Sequence, residues 1–488
     1  MTIFEYLAML NNLFIEIIYL RIFKKILGMN DINQRNFTLN MKVNVKPVFG
    51  SMVHTEAYEG PCRCGKMEEL TPEAERLKNM KAFVKFQEDI KENISPEAKI
   101  LKPVYIEYDE SFIVKEEEFK KLEVDLNDVD LFLLSYRVPG IEFYKKPIAM
   151  IGKGVTNVDV AAYLRSRGIE GYAPLDYNEL NELISLMQVR KAVRYTKILV
   201  ATGGELIPFG VVSTIWDLEG LKARYGIGYH RIHFSEIFKE LEKVDQKEAE
   251  KIAEKIIRNA KKINIKENFI VNDVKFYLAV KNLMKKYGCN AFTFPCFEAC
   301  SSRLPCKHRV VPCLTHTLLK DHGYPSSCEE DISVLMAMMI LMYLSKKSAF
   351  MGNPSFVDEK TIKVVHSVPG LKMNGFDQPD MPYELWHFTA GGWGTKVQVN
   401  LAANTEKTVT LARFNPTATE ILVTRGKVVD CEFYEVGCSP GVYIEVDNAR
   451  EIIHKQIDFG HHMAMVYGDY LQKIEKLSEL MKFKVVKV

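Results

Sequence analysis

Carboxylates and imidazoles in apolar surroundings are the first residues of interest. Glu298 sits in Pro295-Cys296-Phe297-Glu298-Ala299-Cys300, between thiols and an aromatic ring, and Glu329, Glu330 and Asp331 follow Ser326-Ser327-Cys328 just ahead of a long apolar stretch. Near the C-terminus, Phe459-Gly460-His461-His462-Met463-Ala464 reads as the opening of a final helix with two adjacent imidazoles. Burying such groups needs strong partners. A divalent cation is one, and two carboxylates with a histidine can both hold it and move protons. The competing expectation for Glu298 is a simple ion pair with Arg303, and for Asp331 it is helix capping; Glu329 and Glu330 compete with Asp331 for the ligand role. Of the two histidines His462 is the better ligand, because neighbouring residues of a helix point to different sides; His461 is then a core or supporting group.

Four stretches, in this order, resemble the L-fucose/L-arabinose isomerase superfamily. They are Cys296 to Glu298; Cys328-Glu329-Glu330-Asp331-Ile332 with its apolar helix and Ser348-Ala349-Phe350; Val364-Val365-His366-Ser367-Val368-Pro369; and His461-His462 through Asp469. Together they span most of residues 195–488. The resemblance implies interconversion of an aldose and a ketose through an enediolate. It implies that Glu298 and Asp331 ligate a metal and shuttle protons, that His462 is the third ligand, and that His366 stands where a further metal-ligating histidine is found. It also implies a trimer or hexamer. Oxygen-rich ligation with one or two imidazoles suits Mn²⁺, or else Co²⁺ or Fe²⁺, better than a closed zinc site. The family's usual Cys after the third-motif histidine is Ser367 here, and its Asn before the C-terminal ligand is His461, so the sugar is left open. An epimerase or lyase working through the same enediolate is an alternative.

Further residues invite a role. Trp386, His387 and Trp393 lie in Glu384-Leu385-Trp386-His387-Phe388-Thr389-Ala390-Gly391-Gly392-Trp393-Gly394, where rings and glycines suit stacking on a sugar face. A turn with aromatic core residues would read the same way. Cys296, Cys300, Cys306, Cys313 and Cys328, with the distant Cys62 and Cys64, lack the paired spacing of a zinc ribbon. They read as buried thiols, with a cysteine-ligated metal or iron-sulfur redox protein as the other reading.

These residues need a sizeable scaffold. The chain has 488 residues, 47% apolar and 26% charged, enough for two or three cores. Lys and Arg number 65 against 63 Asp and Glu. That balance lacks the basic footprint a nucleic-acid partner demands and favours a small-molecule sugar. Ten cysteines are too few for a disulfide scaffold, so reduced thiols in a cytoplasm are expected. Residues 1–28 are apolar but broken by Glu5, Glu16 and Arg21, which argues against stable membrane insertion. The 1–40 extension is expected to be an amphipathic helix or the product of an upstream start.

The expected class is α/β, with two parallel-sheet domains over 41–195 and 196–365 and a β-rich, antiparallel, barrel-like domain with a terminal helix over 366–488. Helices are expected at 157–167, 175–195, 245–260 and 272–287. A strand at 290–295 delivers Cys296 and Glu298 to its carboxyl end, where open α/β sheets bind ligands. Ser327 and Glu330 form a capping box for a helix over 332–344 that is apolar all round. Alternating text predicts strands at 395–401, 407–413, 418–424, 427–434 and 441–446.

Overall fold

The computed structural model describes residues 35–204 and 207–488. The helix expected over 1–28 lies outside the described residues. The chain divides into two compact units, one of residues 40–191 and one of residues 192–488 with the segment ending at Leu39.

In the first unit, β1 (Val43–Met52), β2 (Ala98–Ile100), β3 (Val104–Tyr108), β4 (Leu131–Leu134), β5 (Ile148–Met150) and β6 (Gly171–Tyr172) form a sheet whose pairings are all parallel. β2 and β3 share one edge of β1 and β4 takes the other, giving the order β2/β3, β1, β4, β5, β6. Every residue of β4 and β5 is buried, as their continuous apolar text demands of strands covered on both faces. Helices Val155–Ser166 and Tyr177–Arg194 fall within two residues of the expected ranges.

The second unit opens with β7 (Lys197–Thr202) and β8 (Gly228–His233). β9 (Lys262–Asn264) leaves their sheet, and β10 (Ala291–Phe294) and β11 (Ser326–Cys328) complete it in the order β11, β10, β7, β8, all parallel. The chain order reverses between β7 and β10, which makes their carboxyl ends the natural ligand crevice.

A closed barrel follows. β12 (Phe350–Asp358) and β13 (Thr361–Val365) enter it; β14 (Tyr383–His387) and β15 (Thr395–Val399) instead join β9 in a separate three-stranded sheet. β16 (Thr408–Phe414), β17 (Glu420–Glu432), β18 (Gly441–Val446) and β19 (Met463–Tyr467) finish the barrel, in the antiparallel circuit β16, β19, β12, β13, β18, β17 and back to β16. β20 (Lys484–Lys487) adds to β17 in parallel.

Three local expectations are corrected. The stretches 418–424 and 427–434 are one long strand, β17, because Gly426 lets the backbone pass close to Ile444 and Glu445 of β18 where a Cβ would collide. The strand expected at 395–401 belongs to the small sheet rather than the barrel. The His461-His462 run opens β19, not a helix; the last helix, Leu471–Met481, begins after it. A short apolar run of β-compatible residues fits either period, and barrel closure decides.

The helix Ile332–Ser345 is buried throughout residues 332–344 and packs against β16 and β19. Its cap is not Ser327, which lies within β11, but Asp331, whose Oδ1 accepts the Val334 N–H at 3.1 Å. No helix among the described residues is long and apolar enough to cross a membrane.

Candidate cation and catalytic site

The carboxyl ends of β7, β10 and β11 carry Gly203, Glu298 and the Glu329-Glu330-Asp331 turn. The barrel faces them with His366 just after β13, Arg413 on β16, and His461-His462 just before β19. Glu329 and Glu330 both adopt left-handed backbone, with φ of 60° and 55°. Each such residue costs about 1–3 kcal/mol and persists only where its surroundings enforce it. Here the Glu330 N–H donates to Phe294 O at 3.0 Å, and its carbonyl accepts from the Thr214 hydroxyl at 2.9 Å. The double twist sends the two glutamate side chains in different directions.

Glu329 reaches the histidines. Its Oε1 lies 3.4 Å from His366 Nε2, and its Oε2 lies 3.8 Å from His462 Nε2 and 3.9 Å from His461 Nε2. Burial opposes its ionisation, yet the imidazoles of His366, His461 and His462 around it hold its carboxyl far below the usual range. Two overlapping sets have potential ligand atoms within 4.8 Å of one another: Glu329 with His461 and His462, and Glu329 with Cys328 and His366.

Asp331 stands behind that front. With Oδ1 committed to its cap, Oδ2 accepts from Arg413 and lies 2.9 Å from His462 Nδ1. Asp331, Arg413 and His462 are all fully buried. Burial disfavours the Asp331 anion, but Arg413 and His462 outweigh it and keep the carboxyl far below its usual range. An ionised carboxylate only accepts, so the His462 proton sits on Nδ1. Burial pushes the His462 imidazole down to about 4 against the pull of Asp331. The ring is therefore neutral, and its Nε2 presents a buried lone pair with no hydrogen-bond partner among the described residues. A carboxylate that orients a histidine in this way is the usual backing of a metal ligand.

Arg413 is fixed by further bonds to Phe459 O, to His462 O at 3.2 Å and to Ser213. Gly460, at φ 99°, makes room for the guanidinium: a Cβ there would meet its nitrogens. His366 differs from His462. Its Nδ1 accepts the Ser367 N–H at 3.0 Å, which puts the proton on Nε2, facing Glu329.

Glu298 is on the short helix Cys296–Ser301 that follows β10. Its Oε1 accepts the Phe209 N–H at 2.7 Å, and its side chain packs on Gly203, where a Cβ would come within 2.7 Å of Cγ. The expected Arg303 pair is not formed among the described residues, and Glu298 belongs to neither of the two ligand sets around Glu329. Glu330 faces a small cleft with Thr202, Thr214, Trp216 and Arg231. Burial pushes its carboxyl up to about 8; Glu298 adds to the rise, and Thr202 and Arg231 oppose it. It takes no part in a capping box.

Cys296 and Cys328 touch, with sulfurs 2.8 Å apart, and Cys313 lies 3.0 Å from the Ser367 hydroxyl. All ten cysteines are free, and Cys62 and Cys64 are in the other unit. Trp386, His387 and Trp393 are on the β14–β15 hairpin. Trp386 Nε1 donates to Glu384, His387 Nδ1 bonds Thr389 O, and Trp393 lies under Arg309.

Sequence reasoning pointed to Glu298, Asp331, His366 and His462, with Glu329 only as a competitor of Asp331, and missed Arg413. A lone arginine in Leu411-Ala412-Arg413-Phe414, a strand otherwise buried, was the available signal.

No family model matches the chain. Over 301 residues it is 25% identical to the sulfoquinovose isomerase of Priestia aryabhattai, covering 61% of this chain and 66% of the relative. The sulfoquinovose isomerase of Priestia megaterium (strain ATCC 12872 / QMB1551) gives the same figures. The matched region spans just under two thirds of these relatives' length. Both carry the name of a sugar isomerase, which supports the resemblance to the L-fucose/L-arabinose isomerase superfamily.

Proposed function

We propose that this chain is a divalent-cation-dependent aldose–ketose isomerase acting on an open-chain sugar. The observation that carries the reading is the bare, buried Nε2 of His462, held toward Glu329 by Asp331 and Arg413. The donor set fits a cation: an orphaned imidazole nitrogen, a carboxylate and a second imidazole within mutual reach. Glu329, His462 and His461 would hold it, with Mn²⁺ the best match to such oxygen and nitrogen donors. A bound cation supplies Lewis-acid stabilisation for the charge that develops as a carbon-bound proton leaves.

The chain's own residues do the rest. Glu298, anchored through Oε1 by Phe209, takes a proton from one of the two adjacent carbons and returns it to the other, while a second proton passes from the hydroxyl on one carbon to the carbonyl oxygen on the other. Asp331 is then a positioning residue, fixing the His462 tautomer, and His366 turns its Nε2 toward Glu329. The sugar in the relatives' name makes an acidic hexose the first substrate to try.

Incubating the protein and Mn²⁺ with a panel of aldoses and ketoses, read by NMR, should show interconversion of at least one pair. Epimers or cleavage products in place of the partner sugar would transfer the site to the epimerase or lyase reading, and no reaction with any of them removes the proposal. Glu298→Gln should abolish turnover while Mn²⁺ still binds. A second reading, a cysteine-ligated metal centre, draws on the Cys296–Cys328 contact and the Cys328, Glu329, His366 set. Visible absorbance of the purified protein separates it from the first.

A further inference from the structure

The cleft beside Glu330 has chemistry that proton transfer does not use. Two arginines lie at this end of the sheet and the barrel, in opposite conditions. Arg413 is wholly engaged by Asp331, Ser213 and backbone carbonyls. The Arg231 side chain has no ion pair or hydrogen bond among the described residues, although it lines the same cleft as Glu330. β8 holds it there: Arg231 stands opposite Val200 of β7, and its neighbour Ile232 is buried, so the pleat turns Arg231 to the other face.

The rest of the lining suits an oxyanion with an apolar stem. Trp216 offers an indole N–H with no acceptor among the described residues, and Pro208 and Ile332 provide apolar wall. Glu298 and Glu329 place carboxyl groups at this end of the sheet, which by themselves would turn away an anionic ligand. A guanidinium with all five N–H groups available reverses that, because it matches a tetrahedral oxyanion two bonds at a time.

We propose that this cleft is an anion subsite, in which Arg231, with Trp216 beside it, receives a sulfonate or phosphate group at the end of the sugar remote from the reacting carbons. The inference rests on the isomerase reading and narrows its substrate to acidic sugars. Arg231 is a specificity residue here and takes no part in moving protons.

The test uses calorimetric titration of the full-length Glu298→Gln protein, loaded with Mn²⁺, with sulfoquinovose, glucose 6-phosphate and glucose. At least one acidic sugar should bind about tenfold or more tightly than glucose, and Arg231→Met should erase that margin while leaving glucose binding unchanged. In the active protein the same substitution should raise KM for the acidic sugar and leave kcat within about twofold. Which acidic sugar binds tells sulfonate from phosphate. Equal binding of acidic and neutral sugars overturns the subsite. So does an equal loss for all sugars on Arg231→Met, which would make Arg231 only a counterweight to Glu330. Should no sugar bind while glucose or another neutral sugar is still isomerised by the unsubstituted protein, the subsite alone falls; with neither binding nor turnover, the isomerase reading falls too.

Discussion

The two parallel sheets obey the same topological rule and end in opposite chemistry. At the carboxyl end of β1, His54 meets Glu75 through its backbone N–H at 2.9 Å and its Nδ1 at 3.0 Å, and Arg63 adds a bond to the same carboxylate. Burial raises the Glu75 pKa, but His54 and Arg63 more than compensate, and the group is simply a satisfied ion cluster. At the carboxyl end of β11 an equally dense cluster is left incomplete. Asp331 and Arg413 close on each other, and the consequence of their closure is an imidazole nitrogen with nothing to bond. A cluster whose members satisfy one another stabilises a fold; one that concentrates its closure at the back leaves valence at the front for a ligand. The second sheet can do this because the barrel contributes His366, Arg413 and His462 from elements that the first sheet lacks.

The largest test of this contrast removes the front. Glu329→Gln should weaken Mn²⁺ binding by about 100-fold or more, followed by electron paramagnetic resonance of free Mn²⁺, with little change in melting temperature. Equal affinity in the variant would mean that the open valence is not a cation site. Removing the back should act on folding instead. Arg413→Met strands a fully buried carboxylate and should cost about 3–5 kcal/mol in calorimetric or denaturant unfolding of the second unit. Arg63→Met leaves Glu75 with His54 and some solvent and should cost the first unit only about 1–2 kcal/mol. If the two losses are alike, the distinction between the clusters fails. A milder probe of the same wiring is Asp331→Asn, which no longer fixes the His462 tautomer; cation affinity should drop about 10–100-fold, short of the Glu329→Gln effect.

How much of this was legible depends on the kind of signal. The β10 strand end, the all-round apolar helix after Asp331 and the alternating strands near 408–446 announce themselves through local pattern, and the α/β-plus-barrel class follows from them. The choice among Glu329, Glu330 and Asp331 does not. Three adjacent carboxylates look alike in sequence, and two left-handed residues that are not glycine decide which one faces the histidines. Arg413 was hidden for a related reason, since its role is set by Gly460 and Ser213, which meet it only when β16 and β19 pair. β19 itself reads equally well as helix until the barrel closes around it.

Lys320 gives the most exacting test of the closure argument, because it is a buried amine with neither a front nor a back. It is fully buried and donates to Val368 O. Burial pushes its pKa down from 10.5 to about 7, against the pull of Asp321. Between those values the unfolded chain binds the proton and the native one does not, so stability should rise with pH. The slope from this one group approaches about 1.4 kcal/mol per pH unit at most. Below pH 7 the penalty is fully present, and above the unfolded value it no longer changes. Asp321, pushed up to about 7 by burial, titrates below this window, and comparison with Lys320→Met cancels the other groups that titrate within it. Lys320→Met should therefore gain most over the natural protein near pH 7 and lose that margin progressively toward pH 9, measured by urea unfolding at several pH values. A margin that stays flat across that range would mean that Lys320 keeps its proton in the core, and that one carbonyl is partner enough for a buried ammonium.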